Sequence, residues 1–121
     1  MKSLSPIPIF GNPASPYTRK MVSLLRYRRI PYSIKWGDPR SFLKNSNIDE
    51  LKPILLPVMI FDVDGEEKAV CDSTPILRHL ETEFSKRRVI PSDPSLAFLN
   101  YVLEDFGDEW VTKYMFHYRW N

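Results

Sequence analysis

With 43% hydrophobic and 13% aromatic residues over 121 positions, the chain has enough apolar surface for one packed domain of ordinary size, which excludes a disordered or low-complexity polypeptide. Its 17 basic and 15 acidic side chains leave a formal charge of only +2, and the basic residues are scattered apart from Arg26, Arg28 and Arg29, so no nucleic-acid footprint stands out. One cysteine excludes an internal disulfide framework, no apolar run reaches the roughly 18 residues of a membrane span, and Met1-Lys2-Ser3 leads into Pro6 and Pro8 instead of a signal-peptide core; a soluble cytoplasmic protein is the expectation.

Residues 7–10 are a short apolar run that reads as a buried strand, broken by Gly11-Asn12-Pro13. Ser15 as N-cap and Pro16 at the first helical position then open a helix in which Met21, Leu24, Leu25 and the stem of Arg28 recur at helical spacing, and Pro31 stops it. Arg26, Arg28 and Arg29 fall in its last turn, where cations complement the helix dipole, and read as a solvated helix end. Residues 32–36 read as a second strand, parallel to the first through a right-handed crossover. Over 37–52, Phe42, Ile48 and Leu51 are sparse, and the expectation is a loop carrying a short helix. Residues 58–61 form a third strand, Asp64-Gly65 is a hairpin turn, and 68–71 is the antiparallel partner. Asp72-Ser73-Thr74-Pro75 opens a third helix with Ile76, Leu77, Leu80 and Phe84 on its inner face and Arg78, Glu81 and Lys86 outside. The order βαβαββα predicts a mixed α/β sheet with helices on both faces.

After Arg87-Arg88 the character changes. Val89-Ile90-Pro91-Ser92-Asp93-Pro94 reads as a linker, and Asp93 or Ser95 caps a long final helix. Leu96, Leu99, Leu103, Phe106, Trp110 and Tyr114 recur every three or four residues, so one side of this helix is built for burial, and Tyr114, Phe116, Tyr118 and Trp120 add an aromatic cluster. Cover from another chain, a homodimer or a partner, is expected.

Ser15-Pro16-Tyr17-Thr18 carries the chemistry. A Cys-Pro-Tyr-Cys tetrapeptide at a strand-to-helix junction would be a thioredoxin-like dithiol site, because a helix N-terminus stabilises a thiolate. Here hydroxyls occupy both sulfur positions. Ser15 cannot exchange disulfides, but it can donate a hydrogen bond to a thiolate that a ligand brings to this helix end. Leu56-Pro57-Val58 before the third strand and Asp72-Ser73 before the third helix complete a set of three elements. In that order and context the chain resembles the glutathione transferases: residues 1–87 as the thioredoxin-like, glutathione-binding N-terminal domain, 88–93 as linker, and 94–121 as the start of a truncated all-helical C-terminal domain.

The resemblance implies that Ser15 is the catalytic hydroxyl that steadies the glutathione thiolate, although a plain N-cap would look the same. It implies a cis peptide at Pro57, with Leu56, Pro57 and Val58 lying along the cysteinyl part of the tripeptide. Asp72 and Ser73 would hold the γ-glutamyl end, and Tyr17 would also line the glutathione site; a helix cap is the alternative role of Asp72-Ser73. Glutathione enters as co-substrate, with no other cofactor. One departure is clear: Ile54-Leu55-Leu56 stands where many members have Gly-Lys, leaving Lys44, Lys52 and Arg19 as alternatives for the glycyl carboxylate. Cys71 reads as inert core. His79 and His117 lack ligand-spaced partners, so no metal site is expected, and His117 reads as a partly buried packing residue. The expected function is glutathione transferase-like, with a non-catalytic thioredoxin-fold interaction module, associating through helix 94–120, as the alternative.

Overall fold

The structure, a computed structural model, describes residues 5–46, 48 and 51–120; the sequence expectation for Met1-Lys2-Ser3 lies outside them. The chain divides into two compact units, Met1–Arg87 and Arg88–Asn121. In the first, strands β1 (Ile7–Gly11), β2 (Tyr32–Trp36), β3 (Val58–Val63) and β4 (Glu66–Cys71) alternate with helices α1 (Pro16–Arg28), α2 (Arg40–Lys44) and α3 (Ser73–Glu83). They form one four-stranded sheet in the order β2-β1-β3-β4, with β1 and β2 parallel and the other pairs antiparallel. The strands of the hairpin run longer than the alternation predicted, because the two-residue turn keeps pairing in register to Val63 and Glu66. Asp64 (φ 57°) and Gly65 (φ 85°) both take the left-handed conformation that such a tight turn requires, and Asp62 Oδ1 accepts from the Gly65 amide at 2.8 Å.

Each face of the sheet has its own core. Ile9, Met59 and Phe61 meet Met21 and Leu25 of α1 and Ile76 and Leu80 of α3 on one side. Phe10, Val58 and Ile60 meet Leu43 of α2 on the other, with Ile48, Leu51 and Ile54 packed around them. This follows from strand geometry, since Ile9 and Phe10, or Met59 and Ile60, must point to opposite faces.

Two charged residues overturn the sequence reading of the helix surfaces. Glu81, expected outside, is 6% exposed, and Arg28, expected at a solvated helix end, is 3% exposed. Arg28 Nη1 lies 2.8 Å from Glu81 Oε1, and its Nη2 donates to the carbonyls of Phe84 and Lys86. Helical periodicity puts Arg28 on the same stripe as Met21 and Leu25, and the neighbouring helix supplies the anion that lets the charge stay there. Arg29 ends α1 in the left-handed region (φ 58°), with Ile30 N–H donating back to Leu25 O at 3.0 Å.

The second unit begins with α4 (Pro94–Asp105), capped by Asp93 Oδ1 accepting from Leu96 N–H at 2.9 Å. The long helix expected here is present, continuing without a break from α4 through a π-helical stretch, Phe106–Val111, into α5 (Thr112–Trp120). Leu96, Leu99, Leu103, Phe106, Trp110 and Tyr114, the stripe built for burial, are each 52–62% exposed. His117 is exposed too, not partly buried, and its ring meets the edge of Tyr118.

Candidate functional site

One row of residues across the sheet organises the site. Lys35 of β2 is level with Phe10 of β1, Phe10 with Val58 of β3, and Val58 with Cys71 of β4. One step beyond that row the chain leaves the sheet in three places that carry sequence-derived site residues: the β1–α1 loop with Ser15, the Leu56-Pro57 approach to β3, and the Asp72-Ser73 entry to α3. Strand register therefore brings these three segments to the same end of the sheet. It is also the end where the parallel strands terminate and α1 begins, the place where open α/β sheets take ligands.

Ser15 is the N-cap of α1, with φ −80° and ψ 120°. Its Oγ accepts from the Thr18 amide at 3.2 Å, and its own amide donates to Asn12 O at 2.9 Å. The hydroxyl proton goes to no described residue, so Ser15 caps the helix through its oxygen with its O–H donor unused among them. The second hydroxyl of the motif has another role. Thr18 is fully buried, its Oγ1 accepts from Asn12 N–H at 3.4 Å, and it packs so tightly on Gly11 that a Cβ there would lie 2.3 Å from its methyl. Thr18 is thus a strut under the loop, and Gly11 is the residue that makes room for it. Tyr17 is half-buried in the first turn of α1.

Leu56 is half-buried and Pro57 fully buried, and the peptide bond between them is cis. The Pro57 carbonyl accepts from Asp72 N–H at 3.1 Å, tying this loop to the start of α3. Asp72 has φ 73° and ψ 141°, a conformation strained for a residue with a side chain. Although it occupies the N-cap position, its carboxylate makes no capping bond, unlike the cap that the Asp72-Ser73 pair allowed. Ser73 is fully buried, and its Oγ accepts from Lys20 Nζ at 3.3 Å. Sequence reading missed Lys20, whose only signal was its place on the α1 flank that follows Pro16 and Tyr17 by one helical turn.

The remaining candidates are dispersed. Arg19 Nε donates to Pro13 O at 3.0 Å and its guanidinium lies 6.0 Å from the Trp36 ring centre. Lys44 is exposed at the end of α2 and Lys52 is exposed before Pro53. Cys71, read as inert core, is half-buried, and its thiol points to Pro53 O at 3.5 Å. His79 packs edge-on against Phe61 with ring centres 4.3 Å apart. Among the described residues no group of three or more His, Cys, Asp or Glu is placed to hold a metal ion, and no helix is long and apolar enough to cross a membrane.

Comparison with known proteins gives this arrangement its context. No curated protein sequence matches the chain. Among solved structures it is similar to the maleylacetoacetate isomerase of Anaeromyxobacter dehalogenans, which holds dicarboxyethyl glutathione and citrate in its active site, at a TM-score of 0.67 and 15% identity over 86% of this chain and 46% of that one. It is similar to the Tau class glutathione S-transferase of mango, Mangifera indica (TM-score 0.64, 21% identity, 91% of this chain and 49% of that one). A glutathione S-transferase of Ceriporiopsis subvermispora in complex with glutathione gives a TM-score of 0.55 at 22% identity, over 88% of this chain and 49% of that one. The chain thus spans just under half the length of these structures, and at such identities the likeness is one of fold. Residues 9–88 match the family of glutathione S-transferase N-terminal domains, a span that contains both cores and all three segments at the end of the sheet, and by that match the chain belongs to the glutathione S-transferase family.

Proposed function

We propose that the chain binds glutathione across the end of the sheet and stabilises its thiolate for attack on an electrophile. The observation that carries this reading is the Ser15 hydroxyl, anchored through its oxygen at the N-terminus of α1 with its proton undonated among the described residues. In this reading residues 1–87 are the glutathione-binding domain, 88–93 a linker, and 94–121 the start of an all-helical domain. Glutathione lies along Leu56, Pro57 and Val58 with its γ-glutamyl end at Asp72 and Ser73, its sulfur near Ser15, and Tyr17 beside it.

A free thiol has a pKa near 8.5, and each unit of lowering takes about 1.4 kcal/mol of preferential thiolate stabilisation. A charge-assisted hydrogen bond from Ser15 and the positive end of the α1 dipole together supply enough to bring it to about 7. The thiol proton leaves to solvent. The thiolate then attacks an electrophilic carbon, forming a C–S bond as the leaving group departs with its electron pair. Isothermal titration calorimetry with glutathione tests the binding step; no binding at millimolar concentration sinks the reading. Ser15→Ala is expected to slow conjugation of a reactive aryl halide about tenfold or more with little change in affinity. Ser73→Ala is expected to weaken binding without lowering the rate at saturation.

A second reading is favoured by the exposed stripe on α4 and α5. A module that associates with another chain through helix 94–120, as a homodimer or with a partner, and turns nothing over would need that face and not Ser15. Sedimentation velocity separates the two: association that Leu99→Glu and Leu103→Glu abolish, in a protein that does not bind glutathione, belongs to the module. A compact monomer across micromolar concentrations refutes the association.

A further inference from the structure

We propose that the end of the N-terminal unit opposite the candidate site docks on an anionic lipid surface through Arg26, Arg29, Lys86 and Arg87. The inference does not depend on glutathione binding. α1 and α3 both start at the site end of the sheet, with Ser15 and Ser73. Two contacts with the same separation of 53 residues, Lys20 to Ser73 and Arg28 to Glu81, hold the helices parallel, so their last turns emerge together at the opposite end. There the buried Arg28 guanidinium binds the carbonyls of Phe84 and Lys86, and the Arg87 guanidinium lies 4.8 Å from the centre of the Tyr27 ring. These contacts set Lys86-Arg87 beside the segment that carries Arg26 and Arg29.

All four cations are exposed, and among the described residues none of them meets a carboxylate. Arg26 Nε donates to the Tyr32 hydroxyl at 3.0 Å, Arg87 stacks on Tyr27, and the Glu81 carboxylate is taken by Arg28. The whole chain carries only +2, so these four positions hold twice its net charge, and Glu83, the last residue of α3, offsets one of them at most. The two helix C-termini that meet here carry about half a negative charge each, so dipole compensation accounts for about one of the four. The kind of partner follows from what accompanies the charge. A folded protein partner needs an apolar anchor at the centre of the contact, where charged residues are depleted; the exposed ring here is Tyr27, and Arg87 already stacks on it. The same stacking occupies the ring that a nucleic-acid base would use. Long cationic side chains around an amphipathic tyrosine are the composition that anionic headgroups attract, the tyrosine sitting at headgroup level and each Lys or Arg adding about fivefold to partition. The contact lies on the bilayer surface, since no helix among the described residues is long and apolar enough to cross.

The test is co-sedimentation of the full chain with vesicles of phosphatidylcholine alone and of phosphatidylcholine with about one third phosphatidylserine. Binding is expected only to the anionic vesicles, and is expected to be lost on raising the salt from about 0.1 M to about 1 M, where the screening length falls from about 10 Å to about 3 Å. Arg26→Gln/Arg29→Gln and Lys86→Gln/Arg87→Gln should each weaken it about 25-fold. Lys68→Gln/Arg78→Gln removes two exposed cations elsewhere on the unit and should leave it little changed, and Arg26→Lys/Arg29→Lys, which keeps the charge, should bind as the unmodified protein does. No preference for the anionic vesicles, an equal loss in the Lys68→Gln/Arg78→Gln protein, or full binding by the two patch variants overturns the proposal. So does patch-dependent binding of duplex DNA or polyglutamate by a protein that ignores the vesicles, which assigns the surface to another polyanion. If one patch variant does not fold by circular dichroism, the other pair decides: retained binding overturns the proposal, and lost binding supports it.

Discussion

Removing one partner of the Arg28–Glu81 pair should be among the most damaging single changes available in the N-terminal unit. In Glu81→Leu the guanidinium keeps its place, with a side chain 0% exposed, but loses the carboxylate 2.8 Å from Nη1. Its Nε already has no hydrogen-bond partner among the described residues. Leaving a buried charge uncompensated costs about 3–5 kcal/mol, against a total stability of about 5–15 kcal/mol for a domain. Arg28→Met should cost as much, because it also releases the Phe84 and Lys86 carbonyls just past the end of α3. The double variant Arg28→Met/Glu81→Leu removes both charges and fills the space with apolar atoms, so it should recover at least about 2 kcal/mol relative to the sum of the single losses. Urea denaturation followed by tryptophan fluorescence measures all four proteins. With a slope of about 1–3 kcal/mol per molar, each single change should lower the midpoint by more than about 1 M. Additive losses in the double variant, or a Glu81→Leu cost below about 1 kcal/mol, would refute the view that the two helices are joined by a desolvated ion pair.

Three further outcomes are expected. Gly11→Ala should destabilise by about 1–3 kcal/mol, since the new methyl would lie 2.3 Å from the Thr18 methyl carbon; Gly11→Ala combined with Thr18→Ser should recover part of that loss, and thermal melts without any recovery would show that the contact is not the cause. Asp72→Gly relieves a positive φ in a residue whose side chain caps nothing, so it should raise stability by about 1 kcal/mol; a lower melting temperature would mean that the carboxylate contributes to the fold. The Arg40 amide and guanidinium, which donate to Asp38, hold its carboxyl below the ordinary value of 3.8. Its contribution is therefore complete above pH 3.8 and lost as pH falls through the lower folded value, and a carbon-detected carboxyl titration with its midpoint at or above 3.8 would contradict this.

Local chemistry in the sequence determined much of this protein. Apolar runs bounded by Gly, Pro and Asn specified the strands, Ser15-Pro16 specified the start of α1, and Asp64-Gly65 specified the hairpin, because each depends on backbone preferences that neighbours a few residues away settle. The same reading brought out Ser15, since a residue that begins a helix announces itself by type, whereas Pro57 and Ser73 were singled out only by the resemblance to a family. Tertiary structure decided what periodicity cannot carry. Arg28 and Glu81 look like surface charges until two helices are packed side by side in one register, and their burial depends on a partner 53 positions away, the same separation that joins Lys20 to Ser73. Thr18 looked like half of a pair of equivalent hydroxyls, yet its closeness to Gly11 makes it a strut, while Ser15 caps the helix. A side chain's type is written in the sequence, but which groups meet is fixed only when sheet register and helix packing bring distant segments together, and that register brings three scattered motifs to one end of the sheet.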